Sequence, residues 1–250
     1  MNAKTKALLR VYAEKYETKA FLNNDPARFM HLVEGTNNQE TMAFIAANLS
    51  YGNRKHFFPK IDFILQCTQG QPYNWVKDGL YEQDIPPTDD CYYRLYTKKM
   101  INNLLKTLQT LLIEHGSLQQ YLQQMAENDA LKAITALCNY FNEHNKTGII
   151  PTNSRSACKR LCMFLRWMVR DSSPVDLGIW AHFIDKRTLI MPLDTHVISQ
   201  AHRLNLIKSK STSMSIAKKL TAEMAKVFPN DPLKADFALF GYGVNQGQEL

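Results

Sequence analysis

Apolar residues recur along this chain at helical spacing and almost nowhere at the alternating spacing of a strand. In residues 4–20 the positions Ala7, Leu8, Val11, Tyr12 and Tyr16 make one helical stripe. Asp25-Pro26 reads as a helix entrance, with Asp at the cap and Pro at the first helical position. Residues 38–50 are apolar nearly all round through Ala43, Phe44, Ala46, Ala47 and Leu49, which predicts a helix buried at a core centre. Amphipathic helices are expected over 54–68 and 98–113, with shorter ones near 117–127 and 129–143. Between them, 69–97 carries Gly70, Pro72, Gly79, Pro86 and Pro87, so a long connection with short helical pieces and no strand is expected. A helix is expected over 155–170, followed by the segment Val175 to Ile190 and a helix opened by Asp194. Another is expected over 212–228, and a last one capped by Asp231-Pro232 and running to about Phe240. The expectation is an all-α fold of about ten helices with short connections.

Composition narrows the class. The chain has 250 residues, 45% hydrophobic and 21% charged, which suits one large domain or two small ones and excludes wholesale disorder. No stretch approaches the ~18 apolar residues of a membrane span, so no membrane partner is expected. The five cysteines are Cys67, Cys91, Cys138, Cys158 and Cys162, and the start Met-Asn-Ala-Lys-Thr-Lys shows no secretory leader. Together these point to reduced thiols and a cytoplasmic protein. Cys158 and Cys162 lie one helical turn apart but have no second pair at ligand spacing, so they read as small buried apolar residues. His196 and His202 are not at i,i+4 spacing, and neither a metal nor a cofactor is expected. The net charge of +7 permits a polyanionic partner; its placement decides whether one is bound.

Two pieces carry candidate chemistry. The first runs Pro151-Thr152-Asn153-Ser154-Arg155-Ser156-Ala157-Cys158-Lys159-Arg160 and opens a basic helix. On a helical wheel Arg155, Lys159, Met163, Arg166 and Arg170 lie within about 40° of one direction. Arg160 adds a further charge, and no acid interrupts Arg155 to Arg170. This stripe reads either as a solvated face paired to acids such as Asp171, Asp176 or Asp185, or as a phosphate track. In the second case Ser154 and Ser156 would leave backbone amides within reach of a phosphate. The second piece, Met191-Pro192-Leu193-Asp194-Thr195-His196-Val197, is a proline-led turn that places Asp194 at a helix start. Asp194 reads first as an N-cap, and its second carboxylate oxygen stays available for another role. A lysine and an aspartate, each at a helix entrance, form a pairing suited to imine chemistry on a sugar or carbonyl carbon.

These two pieces resemble the helix-hairpin-helix DNA glycosylase superfamily, which includes endonuclease III. There a catalytic lysine opens the helix after the hairpin, and a Val/Leu-Asp-Thr/Val-His turn supplies the catalytic aspartate. Lys159 and Leu193-Asp194-Thr195-His196-Val197 match those elements. The 35 positions from Lys159 to Asp194 exceed the usual endonuclease III spacing and are nearest to the archaeal 8-oxoguanine glycosylase branch. More closely, the chain from about Asp25 to Gly243 resembles an uncharacterised prokaryotic family related to that superfamily. The segments that carry this likeness are Cys158 to Arg170, Asp176-Leu177-Gly178-Ile179-Trp180, Pro192 to His196 and Asp231 to Phe237.

The resemblance implies two packed helical subdomains with a cleft between them. One would be a barrel over 23–187, including the hairpin-like segment 150–170; the other would join 1–22 to 188–250. It implies a base-lesion glycosylase, with lyase activity if the lysine forms an imine. Lys159 and Asp194 would be catalytic, and Ser154, Arg155, Ser156, Arg160, Arg166 and Arg170 would contact nucleic acid, DNA being the expected form. The alternative is a non-catalytic nucleic-acid-binding protein on the same fold. Two departures stand out. The superfamily's Leu-Pro-Gly-Val-Gly hairpin is replaced by Ile150-Pro151-Thr152-Asn153-Ser154-Arg155-Ser156, where Asn153 alone suits a left-handed turn. The four-cysteine iron–sulfur loop of endonuclease III has no counterpart after Cys162.

Overall fold

The computed structural model describes residues 1–245. Its α-helices are α1 (Ala3–Tyr16), α2 (Thr36–Leu49), α3 (Arg54–Thr68), α4 (Pro72–Lys77), α5 (Tyr81–Asp84), α6 (Lys98–His115), α7 (Leu118–Met125), α8 (Ala130–His144), α9 (Lys159–Val169), α10 (Thr195–Arg203), α11 (Met214–Ala225) and α12 (Lys234–Val244). Short 3-10 helices cover Lys19–Asn24, Pro26–Leu32 and Lys186–Thr188. The fold is all-α apart from one antiparallel hairpin, β1 (Cys91–Tyr93) and β2 (Tyr96–Thr97). That hairpin corrects the expectation of no strand over 69–97. Its strands are too short for an alternating pattern to show. Among the described residues no helix is long and apolar enough to cross a membrane.

The chain divides into two compact units. One comprises Asp25–Glu127 and Thr135–Asn153; the other comprises Met1–Asn24, Asn128–Ile134 and the chain from Ser154 onward. In the first, α2 is the central element, with every residue from Glu40 to Leu49 buried. Glu40 is a buried charge that closes a helix entrance, where its carboxylate accepts the Leu118 N–H of α7 at 2.9 Å. An unsatisfied amide at that helix end is thereby paired.

In the second unit α1 packs along α12 through aromatic rings. The Tyr16 ring meets Phe240 edge-on, and Phe21 meets both Phe237 and Phe240. A side chain on Gly241 would strike the Tyr16 ring, so the close approach requires glycine there. Arg166 of α9 and Arg170, which caps its C-terminal end, are only 3% and 1% exposed, and both guanidinium groups lie over the Phe237 ring.

Their charges are met inside the unit. Arg166 Nε donates to Asp176 at 3.2 Å, and its Nη1 donates to Asp236. Arg170 donates to both oxygens of Asp231, at 2.8 and 2.7 Å, to Glu17 at 2.7 Å and to Asp176. Burial alone would loosen the Arg170 proton, but the hydrogen bond to Asp231 and the charges of Asp176, Asp231 and Glu17 outweigh it. Burial likewise pushes the Asp176 carboxyl above the usual range, opposed by Arg166 and Arg170.

This network accounts for two differences from the sequence reading. Residues 154–187, expected in a 23–187 barrel, group with the terminal segments because α9 is bonded to Glu17, Asp231 and Asp236. Asp231 does not cap α12 with its side chain, which is engaged by Arg170; Leu233 occupies the cap position without a side-chain bond. The segment after α9 is irregular, and its amides close the end of α9. Leu177 N–H donates to the Trp167 carbonyl at 2.8 Å, and Trp180 N–H donates to the Met168 carbonyl at 2.7 Å. Gly178 makes this turn with φ of 65°, where a Cβ would lie 2.6 Å from the Asp171 Cα.

Removing one member of such a network strands the others without solvent. Arg170→Ala is expected to lower unfolding stability by about 3–5 kcal/mol. Arg155→Ala, at an exposed position, should change it by less than about 0.5 kcal/mol. Urea denaturation of both variants measures the difference; equal, small effects would mean that the buried charges carry no structural weight.

Candidate active site

The approach to α9 is extended and pinned rather than helical. Ser156 forms an antiparallel bridge with Ser213, and the Met214 N–H donates to the Arg155 carbonyl at 3.0 Å. Backbone groups of residues 155 and 156 are therefore engaged with the start of α11, and α9 begins at Lys159 rather than at 155. Cys158 makes the transition with a left-handed backbone, φ 44° and ψ 38°, and no side-chain cap. Asn153, the residue of 150–156 best suited to a left-handed turn, does not adopt one; Gly148 and Cys158 are the left-handed residues in this stretch.

Asp194 is the N-cap of α10. Its backbone is extended, and one carboxylate oxygen accepts the Val197 N–H at 2.8 Å. The other oxygen, Oδ2, lies 3.2 Å from Lys159 Nζ. One aspartate thus caps α10 and ties its entrance to the first residue of α9. The preceding Pro192 and Leu193 are buried, which fixes the turn. The Lys159 and Asp194 side chains keep 37% and 32% of their surface exposed, so a ligand can reach the pair from solvent.

The other expected site residues separate by burial. Arg155 and Ser156 are exposed, and Ser154 and Arg160 are half-buried. Arg166 and Arg170 are not phosphate contacts. They face the interior of their unit and are held by four carboxylates, so the expected cationic track ends near Lys159. Met163, on the same wheel direction, is buried as well. Cys158 and Cys162 are buried, and burial pushes the Cys162 thiol well above its ordinary value, which removes it as a nucleophile. Trp167 and Trp180 are fully buried core residues. Among the described residues no group of three or more His, Cys, Asp or Glu is placed to hold a metal ion.

Sequence reasoning does not find that residues 204–213 return the chain to the approach of α9. The signal available is charge: no Asp or Glu occurs between Asp194 and Glu223.

The lysine–aspartate contact lies within a stretch that a family comparison covers. The family described as "Protein of unknown function (DUF2400)" matches residues 25–245. The chain belongs to this family. The matched stretch includes Lys159, Asp194 and both partners of Arg166, and it begins after α1. Comparisons with curated proteins and with solved structures each found no match.

The two roles of Asp194 in this DUF2400 member separate by substitution. Asp194→Ala removes both the cap and the ion pair and is expected to lower stability by about 1–2 kcal/mol. Asp194→Asn keeps a good capping side chain and should lose about 1 kcal/mol or less. Thermal or urea unfolding compares the two; equal losses would contradict the capping role.

Proposed function

We propose that the chain is a DNA base-lesion glycosylase that also opens abasic sites through a lysine imine. The observation that carries this reading is the contact between Lys159 Nζ and Asp194 Oδ2 at 3.2 Å, between groups 35 positions apart and both open to solvent. Its likeness to the lysine and aspartate of the helix-hairpin-helix glycosylases supports the assignment of roles.

In this mechanism Asp194 accepts a proton from the Lys159 ammonium and leaves a neutral amine. Nζ donates its lone pair to C1′ of the deoxyribose. The C1′–N bond to the lesion breaks, and the base departs with that electron pair and takes up a proton. Asp194 supplies the proton that the departing base takes up, and the carboxylate so formed faces the positive charge on the sugar as the C1′–N bond breaks. Nζ, which now carries two protons, gives one to Asp194. Its lone pair then opens the C1′–O4′ bond to a protonated C1′=N imine, and O4′ leaves as a hydroxyl with the proton from Asp194. Capping of α10 through the other oxygen holds the carboxylate in place while this occurs.

A second reading, a non-catalytic nucleic-acid-binding protein, has one observation in its favour. The segment 150–156 lacks glycine and has no left-handed residue, so the usual phosphate-binding hairpin is not formed there. In that reading Lys159–Asp194 is a clasp between two helices.

Borohydride, which reduces a C=N bond to a stable secondary amine, separates the two readings on duplex DNA carrying an abasic site. The wild-type protein should form a covalent adduct. Lys159→Gln should form none, and Asp194→Asn should form it more slowly by at least about 100-fold. A folded wild-type protein that gives no adduct would leave the binding reading in place.

A further inference from the structure

The burial of Arg166 and Arg170 raises the question of where a polyanion would be held, given a net charge of +7. Those two arginines are balanced by Glu17, Asp176, Asp231 and Asp236 and contribute nothing to the surface. Beyond Asp194 the pattern is different. Residues 195–222 contain five Lys and Arg and no Asp or Glu: Arg203, Lys208, Lys210, Lys218 and Lys219. All five are exposed, and none makes an ion pair among the described residues.

Lys208 and Lys210 belong to the loop that links α10 to α11. Its sequence, Lys208-Ser209-Lys210-Ser211-Thr212, alternates cations with hydroxyls, and every one of these residues is exposed. Lysines and small hydroxyls are common donors to backbone phosphates. The loop is also anchored beside the candidate active site. Its far end, Ser213, bridges Ser156, three residues before Lys159. Lys210 lies three residues from the same bridge. Three residues of chain reach at most about 11 Å, so the Lys159 and Lys210 backbones are no more than about 27 Å apart. One duplex turn spans about 34 Å. One duplex turn is therefore long enough to span both places.

We propose that the loop carrying Lys208 and Lys210 is the phosphate-contacting surface of this unit, binding the backbone of duplex DNA next to the Lys159–Asp194 pair. The proposal rests on the nucleic-acid reading above but assigns the contacts to residues other than the buried arginines. Each phosphate contact contributes about 0.9 to the slope of log affinity against log salt.

The test is a salt titration of binding to an abasic-site duplex by the full chain, compared with Lys208→Ala/Lys210→Ala and Lys208→Arg/Lys210→Arg. The alanine pair should reduce the slope by about 1.8, and the arginine pair should retain it. Borohydride trapping at saturating protein, run alongside, separates this proposal from the enzymatic one. If the alanine pair binds with the wild-type slope while the wild type is trapped, the loop is overturned and the glycosylase reading stands. If the slope falls as expected but no adduct forms, the loop is supported and the enzymatic reading fails. Wild-type protein that ignores duplex DNA, or prefers phosphatidylserine vesicles to it, would overturn the loop proposal.

Discussion

A helix that carries two arginines into a protein interior needs carboxylates waiting for them, and the second unit is organised around that requirement. Arg166 of α9 and Arg170 at its end draw acids from the chain just past α1, from the segment after α9 and from the start of α12. An unpaired guanidinium in such a place would cost several kcal/mol, so no looser arrangement competes. The network fixes α9 in position and in rotation. Seven residues of α-helix turn through about 700°, so Lys159 emerges on the same side as Arg166, two turns nearer the entrance.

Seen from that side, α9 presents one ladder of cations, each matched to an acid. Lys159 meets Asp194, Arg166 meets Asp176 and Asp236, and Arg170 meets Asp176, Asp231 and Glu17. Burial separates the rungs into two kinds. The arginine rungs are closed to solvent and serve the fold. The Lys159–Asp194 rung keeps about a third of each side chain exposed, so it is the rung of the ladder that solvent reaches. Surface ion pairs of this kind add little to stability, which leaves this rung able to exchange its partner for a ligand.

Local pattern made much of this legible. The span of α3 is readable from apolar spacing, and the burial of α2 from its apolar residues all round. Asp194 is readable as a cap because capping depends on residues only three positions away. The ladder was legible only in part: the acid-paired reading named Asp176, ten and six positions from Arg166 and Arg170, but the other bonds join residues 61, 70 and 153 positions apart. Without those partners, a run of Lys and Arg looks like a solvated or phosphate-binding face, which is where cations usually lie. Asp231 misleads for the same reason: Asp-Pro before a helix is a capping signal, but its carboxylate goes to Arg170. Gly178 was the one hint that 175–190 would turn back on α9, and its meaning depends on the Trp167 and Met168 carbonyls that the turn satisfies.

In the proposed reaction Lys159, the open rung, is the group that bonds to a sugar carbon. Mass spectrometry of peptides from the borohydride-reduced adduct locates that bond directly. A single modified peptide is expected, with the reduced deoxyribose on Lys159. An adduct confined to another lysine or to the N-terminal amine would contradict it.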